Sequence, residues 1–172
     1  VGEVMAIGRT FEEAYQKALR MLDIGVDGAL PRADVSFDDL RQELQYPTDR
    51  RAFAVARAFE TGMTLEDVYG LTRIDRWFLT RVRRIVELGE RAKKTRQGSL
   101  GSEQLRKLKQ AGFADQQIAR LSGRSEDAVR SLRHEAGIRP FVKQIDTLAA
   151  EYPAKTNYLY LTYNGVEHDV TF

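Results

Sequence analysis

The stretch "GFADQQIARLSGRSEDAVRSLRHEAGI", residues 112–138, decides how the chain is read. A helical pattern from Asp115 to Leu121 runs into Ser122-Gly123, and Ser125 opens a second helix that stops at Gly137. Two short helices about a glycine-bearing turn have the layout of a helix-turn-helix. A DNA reader sets the N-terminal end of its second helix among phosphates. Here that end is Ser125-Glu126-Asp127, whose carboxylates suit the helix dipole but oppose nucleic acid. Packing of helix on helix is therefore the first reading, and a nucleic-acid-binding module is the alternative.

Composition points the same way. The net charge of +2 comes from 27 basic and 25 acidic side chains, a near balance that argues against bulk attraction to nucleic acid or an anionic membrane. Hydrophobic residues make up 42% of the chain, enough for an ordinary core, and there is no cysteine for a disulfide, a thiol nucleophile or a thiolate metal site. The sequence holds neither an apolar run of bilayer length nor a signal peptide, so secretion is not expected. It opens at Val1 rather than at methionine, which suggests a piece of a longer polypeptide.

Working outward, Thr10 and Glu13 form a capping box before a helix with Phe11, Ala14, Tyr15, Ala18, Leu19 and Leu22 on one face. Residues 23–35, with Gly25, Gly28 and Pro31, read as a linker. Ser36 with Asp39 caps a short helix to Leu44, and residues 48–61 place Phe53, Ala56 and Phe59 on one stripe. Thr64 with Asp67 caps the next helix. Asp75 starts the strongest one, running to about Arg91 with Phe78, Val82, Ile85 and Val86 at helical spacing. Residues 89–101 read as a polar, mobile connector, and Ser102–Ala111 as a helix. In the tail, aromatic and polar residues alternate around Asn164-Gly165, a favoured hairpin dipeptide. Residues 62–88 echo the layout of 112–138. The expected fold is mainly α: an irregular helical domain of about seven helices containing two helix-turn-helix-like pairs, with short β-like segments at both termini.

Catalytic constellations are missing from the sequence. His134 and His168 are far apart, and nothing resembles a nucleophile elbow, a phosphate loop or a metal-ligand spacing. Between Arg73 and Arg96, nine basic residues face three acids, a pattern that usually marks a solvated helix face. Chemistry alone describes a non-catalytic helical interaction module.

Three phrases carry a resemblance. "VGEVMAIGRTFEEAYQKALRML" (1–22) is similar to the segment closing the first ATP-grasp half of the carbamoyl-phosphate synthetase large chain. "GMTLEDVYGLTRIDRWFLTRVRRIVEL" (62–88) resembles that family's oligomerisation domain, in which an Ile-Asp-x-Trp-Phe-Leu phrase is characteristic. "VKQIDTLAAEYPAKTNYLYLTYNGVEHDV" (142–170) resembles the bridge into the second half. The resemblance implies three portions: 1–22 ending the carboxyphosphate half, 23–150 forming a helical oligomerisation and connection domain, and 151–172 opening the carbamoyl-phosphate half. It also implies that the helix pairs are scaffold. The parent would make carbamoyl phosphate from bicarbonate, ammonia or glutamine, and two ATP, with magnesium or manganese, for pyrimidine and arginine or urea synthesis. No cofactor is expected within these residues.

The implied partners are the two ATP-grasp halves, a glutaminase subunit or domain, and a second copy in a weak homodimer, in cytoplasm or mitochondrial matrix, with neither nucleic acid nor membrane. In the family the acid of the first phrase lies near the internal route of carbamate, which makes Glu3 the carbamate-tunnel candidate. Gly2 and Arg9 are interdomain candidates. Trp77, Phe78 and Leu79 are the oligomerisation candidates, because three consecutive large residues at about 100° each spread over about 200° of helix surface and cannot all face one core.

Overall fold

The computed structural model of the chain describes residues 3–32, 35–149, 151–153 and 158–170. Among them stand eight α-helices: α1 (Phe11–Met21), α2 (Leu40–Gln45), α3 (Arg51–Glu60), α4 (Leu65–Thr72), α5 (Arg76–Lys94), α6 (Ser102–Gln110), α7 (Asp115–Ser122) and α8 (Glu126–Glu135). A two-stranded sheet follows, β1 (Phe141–Gln144) and β2 (Leu159–Thr162). The mainly α expectation holds.

Side-chain caps set most of the helix starts. Thr64 and Asp67 form a complete capping box on α4, Asp75 accepts from the Trp77 amide at 2.8 Å, and Ser125 accepts from the Ala128 amide at 3.2 Å. Each such cap satisfies an amide that the helix itself leaves unpaired. Two starts differ from the sequence reading. The cap of α2 is Asp39 rather than Ser36, its carboxylate accepting from the Gln42 amide at 3.0 Å. At α1 only half of the box forms: Thr10 accepts from the Glu13 amide, while the Glu13 carboxylate turns to the Arg9 amide and to more distant partners.

Helix α5 is the central element and packs on α1, α3, α4, α6 and α7. Its buried stripe is Leu79, Val82, Ile85, Val86, Gly89 and Ala92, so the core face begins at Leu79 and leaves Phe78 outside it. Gly89 lets Leu30 pack close: a Cβ there would lie 2.2 Å from the Leu30 Cδ1. The two helix pairs, α4–α5 and α7–α8, share a geometry. Each first helix ends on a left-handed residue, Arg73 (φ 57°) and Gly123 (φ 67°), after which a short link leads to a capped second helix. The echo between residues 62–88 and 112–138 therefore extends to the backbone.

Two stretches read as linkers are built into the core. In 23–32, Ala29 and Leu30 are buried, and Arg120 grips Asp27 through two bonds of 2.7 and 2.8 Å. The connector at 89–101 is not mobile polar chain. Helix α5 runs through it to Lys94 and a 3-10 turn follows (Thr95–Gln97). Ala92, Thr95 and Leu100 are buried. Arg96 donates to the Leu121 carbonyl at 2.9 Å and Arg124 to the Gly98 carbonyl at 2.7 Å. Arginine side chains reaching backbone carbonyls replace the caps that composition alone does not reveal.

The tail also departs from expectation. No hairpin forms at Asn164-Gly165; β2 pairs antiparallel with β1, Phe141 opposite Thr162 and Gln144 opposite Leu159. The chain after Asn164 returns along the other edge of β1, where the Asp169 amide donates to the Val142 carbonyl at 3.0 Å and Lys143 pairs with Asp169. Both strands lie toward the C-terminus, and residues 3–8 belong to neither.

Candidate assembly surface

Four aromatic rings gather where α1 crosses the start of α5. Phe11 stacks on Tyr15 with centroids 5.2 Å apart and meets Trp77 at 5.6 Å and Phe78 at 5.3 Å. Trp77 and Phe78 stand edge to face at 5.0 Å. The two α5 rings are 50% and 45% exposed, whereas Leu79 is 1% exposed and belongs to the core. The spread of three consecutive large residues is thus divided: Leu79 packs inward, and Trp77 with Phe78 remains on the surface. The Arg81 guanidinium covers one side of the Trp77 ring at 4.9 Å. A groove of about 290 Å³ adjoins the rings, lined by Phe11, Tyr15, Val55, Ile74 and Phe78 among others. Burial pushes the Tyr15 phenol up to about 12, so it stays neutral at physiological pH. Paired half-exposed aromatics beside an apolar groove are the kind of surface that anchors protein interfaces.

A second arrangement joins the segment entering α1 to the strand β2. The Glu13 carboxylate is 1% exposed as a residue and accepts from Lys17 at 2.8 Å, the Arg9 amide at 2.9 Å, Thr162 at 2.9 Å and Asn164 at 2.9 Å. Burial works to raise this carboxyl, but the Lys17 ammonium and the amide and hydroxyl donors outweigh it and hold Glu13 below its ordinary value. Lys17 is fully used: besides Glu13 it donates to the carbonyls of Ile7 at 2.9 Å and Leu161 at 2.6 Å. The sequence reading saw Glu13 only as a helix cap. An acid and a lysine four apart on the buried side of α1 was the available signal, and Phe11 with Tyr15, also four apart, was the signal for the aromatic patch.

Of the residues singled out from sequence, Glu3 is exposed on the entering segment and Gly2 lies outside the described residues. Arg9 is exposed and its amide serves Glu13; Asp169 is held below its ordinary value chiefly by Lys143 and the Gln144 amide, with a smaller contribution from the Arg9 charge. Glu3 and Arg9 take part neither in the groove nor in the ring contacts of Trp77 and Phe78. Among the described residues no group of three His, Cys, Asp or Glu side chains stands as a metal cradle, and no helix is long and apolar enough to cross a membrane.

The helix pair that opened the question presents no DNA-reading face. Leu121 and Val129 are buried and Leu132 is half-buried between its helices. Arg133 is 8% exposed, pairing with Asp115 at 3.1 Å and donating to the Ile138 carbonyl at 3.1 Å. Arg130 is held by Glu126 and Asp127 on its own helix. Between residues 73 and 96, Arg76 pairs with Glu66, Arg81 and Arg84 with Glu12, Arg83 with Glu87 and Lys93 with Glu60 and Glu90. Five of the nine basic residues in that stretch are thus paired with acids.

Comparison with known proteins agrees with the scaffold reading. The family model described as carbamoyl-phosphate synthetase large chain, oligomerisation domain, matches residues 3–137. The chain belongs to this family. The match to the large-chain oligomerisation domain ends at Gly137, directly beyond α8, and contains both helix pairs and the aromatic cluster. The chain is similar to the mitochondrial ammonia-dependent carbamoyl-phosphate synthase of Mus musculus, 50% identical over the whole of this chain and 12% of the relative. The Homo sapiens protein of the same name is 49% identical. The multifunctional protein ura1 of Schizosaccharomyces pombe is 52% identical over the whole of this chain and 8% of its own length. The chain thus spans about an eighth of the synthase relatives' length. The nucleic-acid alternative finds no support in any of these.

Proposed function

We propose that the chain is the scaffold that joins the two synthetase halves of a carbamoyl-phosphate synthetase large chain and contributes a weak self-association contact through Trp77 and Phe78. In this reading residues 1–22 end the carboxyphosphate half, 23–150 form the connecting helical domain, and 151–172 open the carbamoyl-phosphate half. The observation that carries it is the aromatic pair, half exposed on the long central helix of a domain whose family is defined by oligomerisation. A glutaminase subunit or domain completes the parent assembly, in the cytoplasm or the mitochondrial matrix; a mitochondrial relative supports the second compartment.

The parent's reaction, carbamoyl phosphate from bicarbonate, ammonia and two ATP, belongs to the flanking halves. ATP with magnesium or manganese does not fit the described residues, which hold no phosphate loop and no carboxylate cradle, so no chemical step is assigned to them. Glu3 remains the residue closest to the chemistry: an exposed carboxylate on the entering segment, suited to lie near the carbamate route. An assay of the purified chain for ATP hydrolysis and carbamoyl-phosphate formation tests the division of labour. The expected result is no turnover above buffer, and activity that co-purifies with the protein contradicts it.

A further inference from the structure

A cleft of about 410 Å³ opens where the start of α1, the middle of α5 and the end of α6 meet, and no aromatic ring lines it. Three cations (Arg84, Arg91, Lys107) and two acids (Glu12, Glu87) stand around it. Both acids are already answered. The Glu12 side chain, 5% exposed, faces Arg84 at 3.4 Å and Arg81 at 3.8 Å, and Glu87 pairs with Arg83 at 3.3 Å on its own helix.

The donors of the cleft are not answered in the same way. Arg91 is exposed and lies on the same face of α5 as Arg84, two turns further on. Among the described residues its guanidinium meets no acid, carbonyl or ring, and the Gln110 side-chain amide is likewise without a partner. The Thr10 hydroxyl accepts from the Glu13 amide at 3.2 Å but donates to no acceptor among those residues. Lys107 is held by Glu103 alone, whose side chain is 81% exposed, and water competes easily with such a pair. What the cleft leaves unmatched is therefore positive charge and hydrogen-bond donors.

We propose that this cleft binds a small organic phosphate, with Arg91 and Lys107 on the phosphate and Gln110 and Thr10 facing the polar remainder of the molecule. Two cations from different helices match a phosphate monoester, which carries nearly two negative charges and three free oxygens, better than a carboxylate with one charge and two. The cleft falls within the range of about 300–1,000 Å³ usual for small-molecule sites, more than an inorganic ion fills, and Leu88 and Ala111 give the carbon part an apolar wall. Binding here ties α5 to α6 and involves no chemical step. The site is separate from Trp77 and Phe78, so it stands or falls independently of self-association.

Calorimetric titration of the 172-residue chain at fixed ionic strength tests this, with glycerol 3-phosphate as the probe and glycerate as its carboxylate counterpart. Glycerol 3-phosphate should bind saturably at one site, and glycerate about tenfold more weakly. Arg91→Gln should weaken the phosphate by about tenfold or more, since a charge-assisted bond is lost, and Lys107→Gln should weaken it as well. Both side chains are exposed, and circular dichroism verifies that the variants fold. Arg139→Gln, which removes an exposed arginine outside the cleft, should bind like the wild type. Absence of saturable binding overturns the proposal, as does glycerate binding as tightly as glycerol 3-phosphate. Equal losses in Arg91→Gln and Arg139→Gln also overturn it, because the attraction would then be to overall charge and not to this cleft.

Discussion

The Glu13 carboxylate accepts the Asn164 amide at 2.9 Å across 151 positions of sequence. The same oxygen accepts the Thr162 hydroxyl at 2.9 Å, while the other takes the Lys17 ammonium at 2.8 Å. One side chain in the first turn of α1 therefore fixes the end of β2 to the helical body. Its donors come from three separate segments, and each would lose one bond if the carboxylate were removed, although Lys17 and Asn164 keep carbonyl partners.

The sign of the pH dependence follows. Glu13 is held below its ordinary value of 4.5 in the folded state, so its stabilisation is complete above that value and is lost as pH falls through the lower folded one. Replacing Glu13 with Gln should cost about 2–3 kcal/mol at neutral pH, since a buried charged acceptor is lost. It should also flatten the acid limb of the stability curve. Urea unfolding as a function of pH checks both, and a variant with the wild-type slope below the carboxylate range contradicts the assignment.

A second carboxylate neutralises two buried cations. Asp115 pairs with Lys109 at 2.6 Å and Arg133 at 3.1 Å, side chains only 6% and 10% exposed. Burial tends to raise the Asp115 carboxyl, yet the two cations hold it below the ordinary range. Asp115→Ala should destabilise the chain by about 3–5 kcal/mol, because it leaves uncompensated charge inside. Asp115→Ala with Lys109→Met should recover part of that loss in denaturant melts. No recovery in the double variant would show that the charge is not the cause.

Gly112 is required by a close approach. Its φ is +84°, and a Cβ would lie 2.7 Å from the Glu13 Cα and 3.0 Å from the Glu13 carbonyl oxygen. Backbone cannot yield as a flexible side-chain tip can. Gly112→Ala should therefore cost about 2–4 kcal/mol and separate α1 from the turn after α6. Thermal unfolding within about 1 °C of wild type would contradict this.

Much of the fold was legible in the sequence, for reasons that differ by element. The helices from Asp75 and Ser125 carry their own caps and apolar spacing, local signals that survive without tertiary context. The family phrase at Ile74–Leu79 pointed to the right domain, and it lies inside the matched region. The linkers were misread because their order comes from distant arginines, Arg120 on Asp27 and Arg124 on Gly98, which local composition does not encode. Asn164-Gly165 suggested a hairpin, but Thr162 and Asn164 are recruited by Glu13, and β2 pairs instead with a strand about twenty residues earlier. Of the surface triad, spacing showed that Trp77, Phe78 and Leu79 must diverge, while which of them packs inward depends on where α1 crosses α5.

The central claim is that Trp77 and Phe78 form a self-association surface, and sedimentation velocity over a concentration series tests it most directly. A second copy covering the groove and the two rings would bury on the order of 1,000 Å² or less, the lower end for a specific contact. The wild-type chain should accordingly move reversibly from monomer toward dimer as concentration rises. Trp77→Ser should remain monomeric throughout, with its circular dichroism unchanged because the ring is half exposed. A wild-type chain that stays monomeric at its highest soluble concentration, or a Trp77→Ser variant that dimerises equally well, would contradict the account.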